Sequence, residues 1–269
     1  MTPFVCATCG VQYAATEAPP ERCRICDDER QFVGWEGQRW TTLEELRRSH
    51  RNRLAEMEPN LTRIGMEPTF GIGQHAFLVR LPQGNVLWDC ITLIDDDTAA
   101  AVEERGGIAA IAVSHPHYYS AIVEWSRAFG GAPIYLHAAD RGWVTRPDPA
   151  IVHWRGEAHP LWDGMTLVRG GGHFDGGAML HWAAGAGGRG ALLAGDIIQV
   201  VHDRRWVSFM HSYVNYIPLP PSKVERVAAS IEPYGFERIY SPWPGRVVTG
   251  DGKGAVRRSK ERYLRAVAG

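Results

Sequence analysis

Ile108-Ala-Ala-Ile-Ala-Val-Ser-His-Pro-His-Tyr-Tyr-Ser120 is the stretch from which the rest of the chain is read. Its first six residues form an uninterrupted apolar run, which predicts a strand buried on both faces. The run leads straight into Ser114-His115-Pro116-His117-Tyr118-Tyr119-Ser120, and Tyr119 to Phe129 reads as a helix closed by Gly130 and Gly131. A strand end that feeds a loop and then a helix is where α/β folds carry their chemistry. Two imidazoles one residue apart can both turn onto one ion.

Two further strand ends carry the same chemical vocabulary. Gly170-Gly-Gly-His173 follows a strand at Met165–Val168, with glycines that permit close backbone approach. Leu192-Leu-Ala-Gly-Asp196 sets a carboxylate at the end of a strand that begins at Ala191. His115, His117, His173 and Asp196 together match the ligand chemistry of zinc or iron. Around them lie a hairpin (Ala76–Leu81 and Asn85–Cys90), a helix from Asp95 to Arg105, and strands at Pro133–His137, Ala178–Trp182 and Arg238–Tyr240. Helices are expected from Ser222 to Ile231 and from Val256 onward. This order suits an α+β fold of two sheets flanked by helices better than a simple Rossmann alternation.

The joint pattern of HxH, then GGH 56 residues on, then LxAGD 23 further on resembles the metallo-β-lactamase superfamily. The resemblance covers roughly residues 60–269, including Asp89 in the early hairpin. It implies a four-layer αββα sandwich with metal at one edge of the sheets. It also implies that His115, His117 and His173 bind the first metal and that Asp196 is the carboxylate shared between two. The family motif is HxHxDH, and here the chain departs from it. Tyr119 stands where the Asp belongs and Ser120 where the next His belongs. No His occurs in Tyr240-Ser-Pro-Trp-Pro-Gly245, where the last family His falls. The ligands of a second metal are missing together, so a mononuclear site is expected.

The N-terminal region is a different object. Cys6-Ala-Thr-Cys9 and Cys23-Arg-Ile-Cys26 are two CxxC knuckles with 13 residues between them. Such spacing lets four thiolates close on one tetrahedral zinc, and the pattern resembles zinc ribbons and rubredoxin-like knuckles. The competing reading is a set of free or redox-active thiols. A closed four-thiolate site has no position for substrate, so a structural or interaction role is expected. Residues 1–35 are expected to be this module, 36–59 a linker helix, and 60–269 the metallo-β-lactamase-like domain. Leu43, Leu46, His50, Leu54 and Met57 recur at helical spacing and predict a helix over 41–57, with Thr42 and Glu45 as a capping box and Pro59 as its end. Cys90 reads as an inert core thiol.

Composition excludes several classes. With 29 Lys+Arg against 30 Asp+Glu the net charge is −1, which argues against bulk nucleic-acid or membrane-surface binding. Residues 1–58 carry eight Lys/Arg and ten Asp/Glu, which argues against phosphate binding by the cysteine module. No apolar run reaches the length of a membrane span. Met1-Thr-Pro-Phe-Val-Cys6 has no basic n-region, so a cytoplasmic chain is expected.

The leading functional expectation is a metal-dependent hydrolase acting on a small molecule, an ester, thioester, lactone or amide, with zinc or iron in the cleft. Asp196 would bind the metal or take a proton from water, and Tyr119 would donate to an oxyanion. One alternative is a non-haem iron oxidative enzyme using His115, His173 and Asp196. Another is a non-catalytic binding protein on the same fold. His75 is weighed as facing the cleft, and His211-Ser-Tyr-Val-Asn-Tyr-Ile-Pro218 as lining a substrate pocket. His202 is read as hydrogen-bonded or solvated, and His50, His137, His153, His159 and His181 as structural.

Overall fold

The apolar run around Ile111 forms the strand Ala110–Ala112, every residue of it buried. It lies between Val86–Trp88 and Ile134–His137 and runs parallel to both. All three residues are buried although successive side chains point to opposite faces, which explains continuous apolar sequence in place of alternation. The structure, a computed structural model, describes residues 1–267. The chain divides into two units, Met1–Leu136 with Arg141–His153, and His137–Asp140 with Trp154–Gly269.

The first unit is built on a seven-stranded sheet in the order Ile151–Trp154, Ile134–His137, Ala110–Ala112, Val86–Trp88, Ala76–Val79, Leu61–Glu67, Arg51–Glu58. The last four are joined antiparallel as successive hairpins. A small sheet of Gln12–Thr16, Thr2–Cys6 and Trp40–Thr41 belongs to the same unit. Its Val5, Val11 and Ile25 join the apolar cluster that holds Leu87, Ile91, Tyr118 and Trp125. Fully burying a side chain of this size stabilises the fold by about 1.5–3 kcal/mol, so the cysteine-bearing segment shares a core with the sheet.

The helix expected over 41–57 is corrected. The helix is Leu43–Ser49, with the capping box of Thr42 and Glu45 in place, and the chain is extended at His50. Arg51–Glu58 is the outer strand of the sheet, paired antiparallel with Leu61–Glu67. The linker helix assigned to 36–59 thus amounts to seven residues. Leu54 and Met57 satisfy helical spacing, but Arg51 and Arg53 alternate outward as in a strand. Pro59 and Asn60 turn the chain between Glu58 and its partner Leu61, with Asn60 at φ +69°, a conformation Asn tolerates.

The second unit carries a six-stranded sheet in the order Ala158–Trp162, Met165–Arg169, Ala178–Trp182, Ala191–Leu193, Arg238–Tyr240, Val247–Val248. All neighbours are antiparallel except Ala191–Leu193 and Arg238–Tyr240. The helix Pro221–Ile231 buries Val224, Val227, Ala228 and Ile231, a stripe at helical spacing. Those side chains pack with Val168, Met179, Leu192 and Ile239. The final helix, Gly252–Val267, adds Ala255 and Val256. Two short hairpins, Gln199–Val200 with Val207–Ser208 and Met210–Ser212 with Ile217–Pro218, follow the strand that leads to Asp196. The architecture is mixed α+β with several sheets, as expected. Among the described residues no helix is long and apolar enough to cross a membrane.

Candidate metal centres

The four knuckle cysteines come together. Cys6 ends its strand, its amide donates to Val11, and Gly10, at φ +81°, donates its own amide back to the Cys6 carbonyl at 2.8 Å. The second knuckle closes similarly, with the Asp27 amide on the Cys23 carbonyl at 2.9 Å. Cys6 and Cys26 sulfurs lie 3.7 Å apart, as do those of Cys9 and Cys23, and all four Sγ atoms are within 4.8 Å of one another. A tetrahedral zinc with Zn–S of about 2.3 Å requires S···S of about 3.8 Å, so the cluster has the size of a zinc-thiolate site. None of the five cysteines is in a disulfide. Two donors face the sulfurs: Gln38 Nε2 reaches Cys6 at 3.3 Å and the Tyr13 hydroxyl reaches Cys23 at 3.4 Å. Such donors favour the thiolate form. The four thiols share protons through their mutual hydrogen bonds, which lower Cys6 and Cys23 and raise Cys9 and Cys26. Cys90, buried just past the strand Val86–Trp88, is a separate case, since burial pushes its thiol up.

The His115–His117 loop hangs on the buried strand. Asp89, at φ +58°, donates its amide to the Ala112 carbonyl, and its Oδ1 accepts from the Ser114 amide at 2.7 Å. Ser114 Oγ lies 2.8 Å from His115 Nδ1, so that contact engages Nδ1 and not Nε2. Pro116–Tyr118 forms a 3₁₀ turn that brings the His115 and His117 rings to 5.1 Å. Both imidazoles are buried. Ser120, at φ +42°, turns the chain out of the loop. Its hydroxyl donates to the Cys90 carbonyl at 3.1 Å and accepts from Gln74 Nε2 at 3.0 Å. Tyr119 is buried and lines a small cavity inside the first unit with Gln12, Ile122, Val123 and Arg146.

In the second unit Gly170-Gly-Gly leads into His173 as a tight turn, with the amides of Gly170 and Gly171 both on the Gly177 carbonyl at 2.9 Å. Glycine is required at Gly172, which has φ +81° and where a Cβ would press to 3.1 Å on Leu219 and Val227. His173 Nδ1 donates to the His211 carbonyl at 2.7 Å, again leaving Nε2 outward. Asp196 is buried, and the Trp243 indole N–H donates to its Oδ1 at 3.0 Å. Tyr213 links His173 and Asp196: its ring lies 5.5 Å from that of His173, and its hydroxyl donates to the Asp196 carbonyl at 2.8 Å. Burial, then the Asp196 charge, pushes the Tyr213 phenol well above its usual range.

Cys6, Cys9, Cys23 and Cys26 of the first unit are thus a buried set that could hold an ion, while His115 and His117 of the first unit and His173 and Asp196 of the second are each buried side chains of metal-binding type. The remaining histidines have local roles. The His75 ring fills the space left by the missing side chain of Gly65. His50 bonds Ser49, His137 and His181 bond the carbonyls of Gly156 and Gly235, and His202 meets Arg246. Sequence reasoning missed Trp243 and the positioning task of Tyr213. The only signal was negative, a Trp in the turn Tyr240-Ser-Pro-Trp-Pro-Gly245, where the sequence resemblance implied a His.

No family model matches the chain. It is 51% identical over 266 residues to the uncharacterized protein YmaE of Bacillus subtilis (strain 168), an alignment spanning 98% of this chain and 96% of that protein. Among solved structures, the metallo-β-lactamase DIM-1 superposes with a TM-score of 0.60 at 14% identity, covering 80% of this chain and 98% of that one. VMB-1 gives 0.58 at 14% identity with the same coverage. A B3 metallo-β-lactamase with an active-site glutamic acid gives 0.52 at 18%, covering 85% of this chain and 94% of that one. These likenesses show that the fold is that of the metallo-β-lactamases.

Proposed function

The chain belongs to the same family as YmaE of Bacillus subtilis, and from that membership and its metallo-β-lactamase fold we propose that it is a mononuclear metal-dependent hydrolase. The observation that carries the reading is the donor set itself. His115, His117, His173 and Asp196 each offer one ligand atom, are all buried, and sit on loops that follow strands. A divalent ion held by these groups would supply Lewis acidity, lowering the pKa of a bound water and polarising an acyl oxygen.

The protein's own residues prepare that chemistry. Ser114 and the His211 carbonyl hold His115 and His173 by Nδ1, so that Nε2 of each is presented as ligand. Three neutral imidazoles leave the ion its full charge, which a thiolate-rich site would cancel. Trp243 fixes one oxygen of Asp196, and the carboxylate serves as ligand or as acceptor of the water proton. Ser120, in the position of a second-metal His, spends its hydroxyl on Cys90 and Gln74. Trp243 comes from the turn where the last second-metal His falls, and it caps Asp196 instead. Both features support one ion in place of two. The substrates that fit this chemistry are small esters, thioesters, lactones or amides. The thiolate cluster is read as a structural zinc site.

The test is metal content and turnover of purified protein on a panel of esters, thioesters and lactones. Two ions per chain are expected, one in each set. His173→Ala is expected to lose one ion and all turnover while keeping the thiolate-bound ion. Unchanged turnover in that variant, or three ions per chain in the wild type, overturns the reading.

A further inference from the structure

The cysteine knuckle and the histidine loop are bonded to each other inside the first unit, through backbone groups a few residues from ligands of both. The Gly10 carbonyl, one residue past Cys9, accepts from the buried Thr92 hydroxyl at 2.8 Å. The fit leaves no slack: a Cβ on Gly10 would lie 2.4 Å from Thr92 Oγ1, and one on Gly71 would lie 3.2 Å from the Cys9 carbonyl carbon. Two residues on, the Gln12 amide donates to the Ser120 carbonyl at 2.9 Å. The Gln12 carbonyl accepts from Thr145 at 2.9 Å, and its side-chain oxygen accepts from Arg146. Ser120 is three residues past His117 and is a non-glycine residue at φ +42°, a conformation that persists only when its surroundings enforce it. Gln12, Gln74 and Cys90 supply that enforcement.

We infer that the thiolate site is a positioning device for the histidine site, so that binding of metal at the four cysteines raises the affinity of the His115/His117 half for its own metal. The inference rests on the reading of His115, His117, His173 and Asp196 as one ion site. The physical link is short. Metal holds Cys6 and Cys9 in the knuckle. The knuckle fixes Gly10 against Thr92 and Gln12 against Ser120. Ser120, so held, fixes the exit of the loop that turns His117. Without an ion the knuckle loses its closing bonds, Gln12 is released, and Ser120 relaxes toward ordinary backbone. The coupling is reciprocal by thermodynamic necessity: metal at the histidines must tighten the thiolate site by the same factor.

Cobalt titration of the metal-stripped, reduced 269-residue chain tests this. Cobalt at thiolates gives an intense sulfur-to-metal charge-transfer band, whereas cobalt at His/Asp ligands gives only weak visible bands, so the two sites are read separately. Cys23→Ser should abolish the charge-transfer band and weaken the weak-band site by about 5–150-fold, the usual range of such couplings. Against a Gln12→Ala control that loses only the side-chain bond to Arg146, Gln12→Pro also removes the amide that meets Ser120, at the first residue of a strand where proline is tolerated. It should keep the charge-transfer band and still weaken the second site by a similar factor. His117→Ala should in turn weaken cobalt binding at the thiolates. Circular dichroism checks that each variant is folded. An unchanged weak-band affinity in folded Cys23→Ser, or in Gln12→Pro, overturns the linkage while leaving the histidine site standing. A wild-type chain that binds cobalt only at thiolates overturns both.

Discussion

The thiolate cluster and the His115–His117 loop belong to one unit, yet they gather their ligands in opposite ways. All four thiolates come from residues 6–26, and the turns that present them are closed by bonds within the knuckles. The histidines are presented by a strand end, and what aims them is the buried Asp89 carboxylate on the Ser114 amide and the Ser114 hydroxyl on His115. The cysteine set is closed by its own turns, and beyond the shared apolar core its named bonds to the rest of the unit are few, Thr92 on Gly10 and Gln12 on Ser120 among them. The histidine loop is held at its entry by the buried sheet, through Asp89 and Ser114, and at its exit by the Gln12 amide on Ser120.

The largest effect expected from this contrast is on chelation. Stripping metal under reducing conditions should abolish amide-exchange protection across residues 1–35, because structural zinc supplies folding free energy on the order of 10 kcal/mol. The strand Ala110–Ala112 should keep its protection. Equal loss in both regions would erase the distinction. The next effect sharpens the histidine side. Asp89→Ala leaves the buried Ser114 amide without its carboxylate and puts alanine at φ +58°, and should cost about 3 kcal/mol in urea unfolding. Asp89→Asn should recover most of that, since Asn still accepts the bond and tolerates the conformation.

Trp243→Phe should be gentler. It removes one hydrogen bond to Asp196, and metal affinity at the His/Asp set should fall about tenfold, the low end for groups that orient a ligand. Thiolate-site affinity should not change; if it does, Trp243 acts through the fold and not through Asp196.

The smallest effect contrasts ligand histidines with structural ones. Burial, against the Gly235 hydrogen bond, lowers the His181 pKa below its usual value. The unfolded chain therefore takes up the proton first, near about pH 6.5, while the folded chain resists it. This histidine costs no stability above that pH and a growing amount as pH falls through and below it. His181→Gln should narrow the difference between urea midpoints measured at about pH 7.5 and about pH 5.5.

What was legible in the residues follows the same division between local and distant. The CxxC knuckles and the Thr42–Glu45 capping box are readable because each is complete within a few residues. The apolar run of Ala110–Ala112 was readable because burial on both faces leaves its mark on every residue. Residues 51–58 were misread as helix because a strand there depends on pairing with 61–67, which no spacing within 51–58 encodes. The Trp243 bond to Asp196 spans 47 residues and uses a residue type with no motif of its own. Tyr213 was visible only as one aromatic among several, since its task depends on a hairpin that returns to His173 and Asp196.

That misread strand carries a consequence for how the chain behaves in a crowded solution. Arg51–Glu58 is the outermost strand of its sheet, and beside it Arg51 and Arg53 share Glu67 while Arg80 meets Glu56. An incoming strand from another molecule would have to strip water from this row of guanidinium and carboxylate groups before gaining its first ladder bond. Charge along an open edge is a guard against strand-to-strand growth into aggregates. The charged residues that point outward from this strand, and not the Leu54 and Met57 that give it helical spacing, are the ones that protect it from sticking.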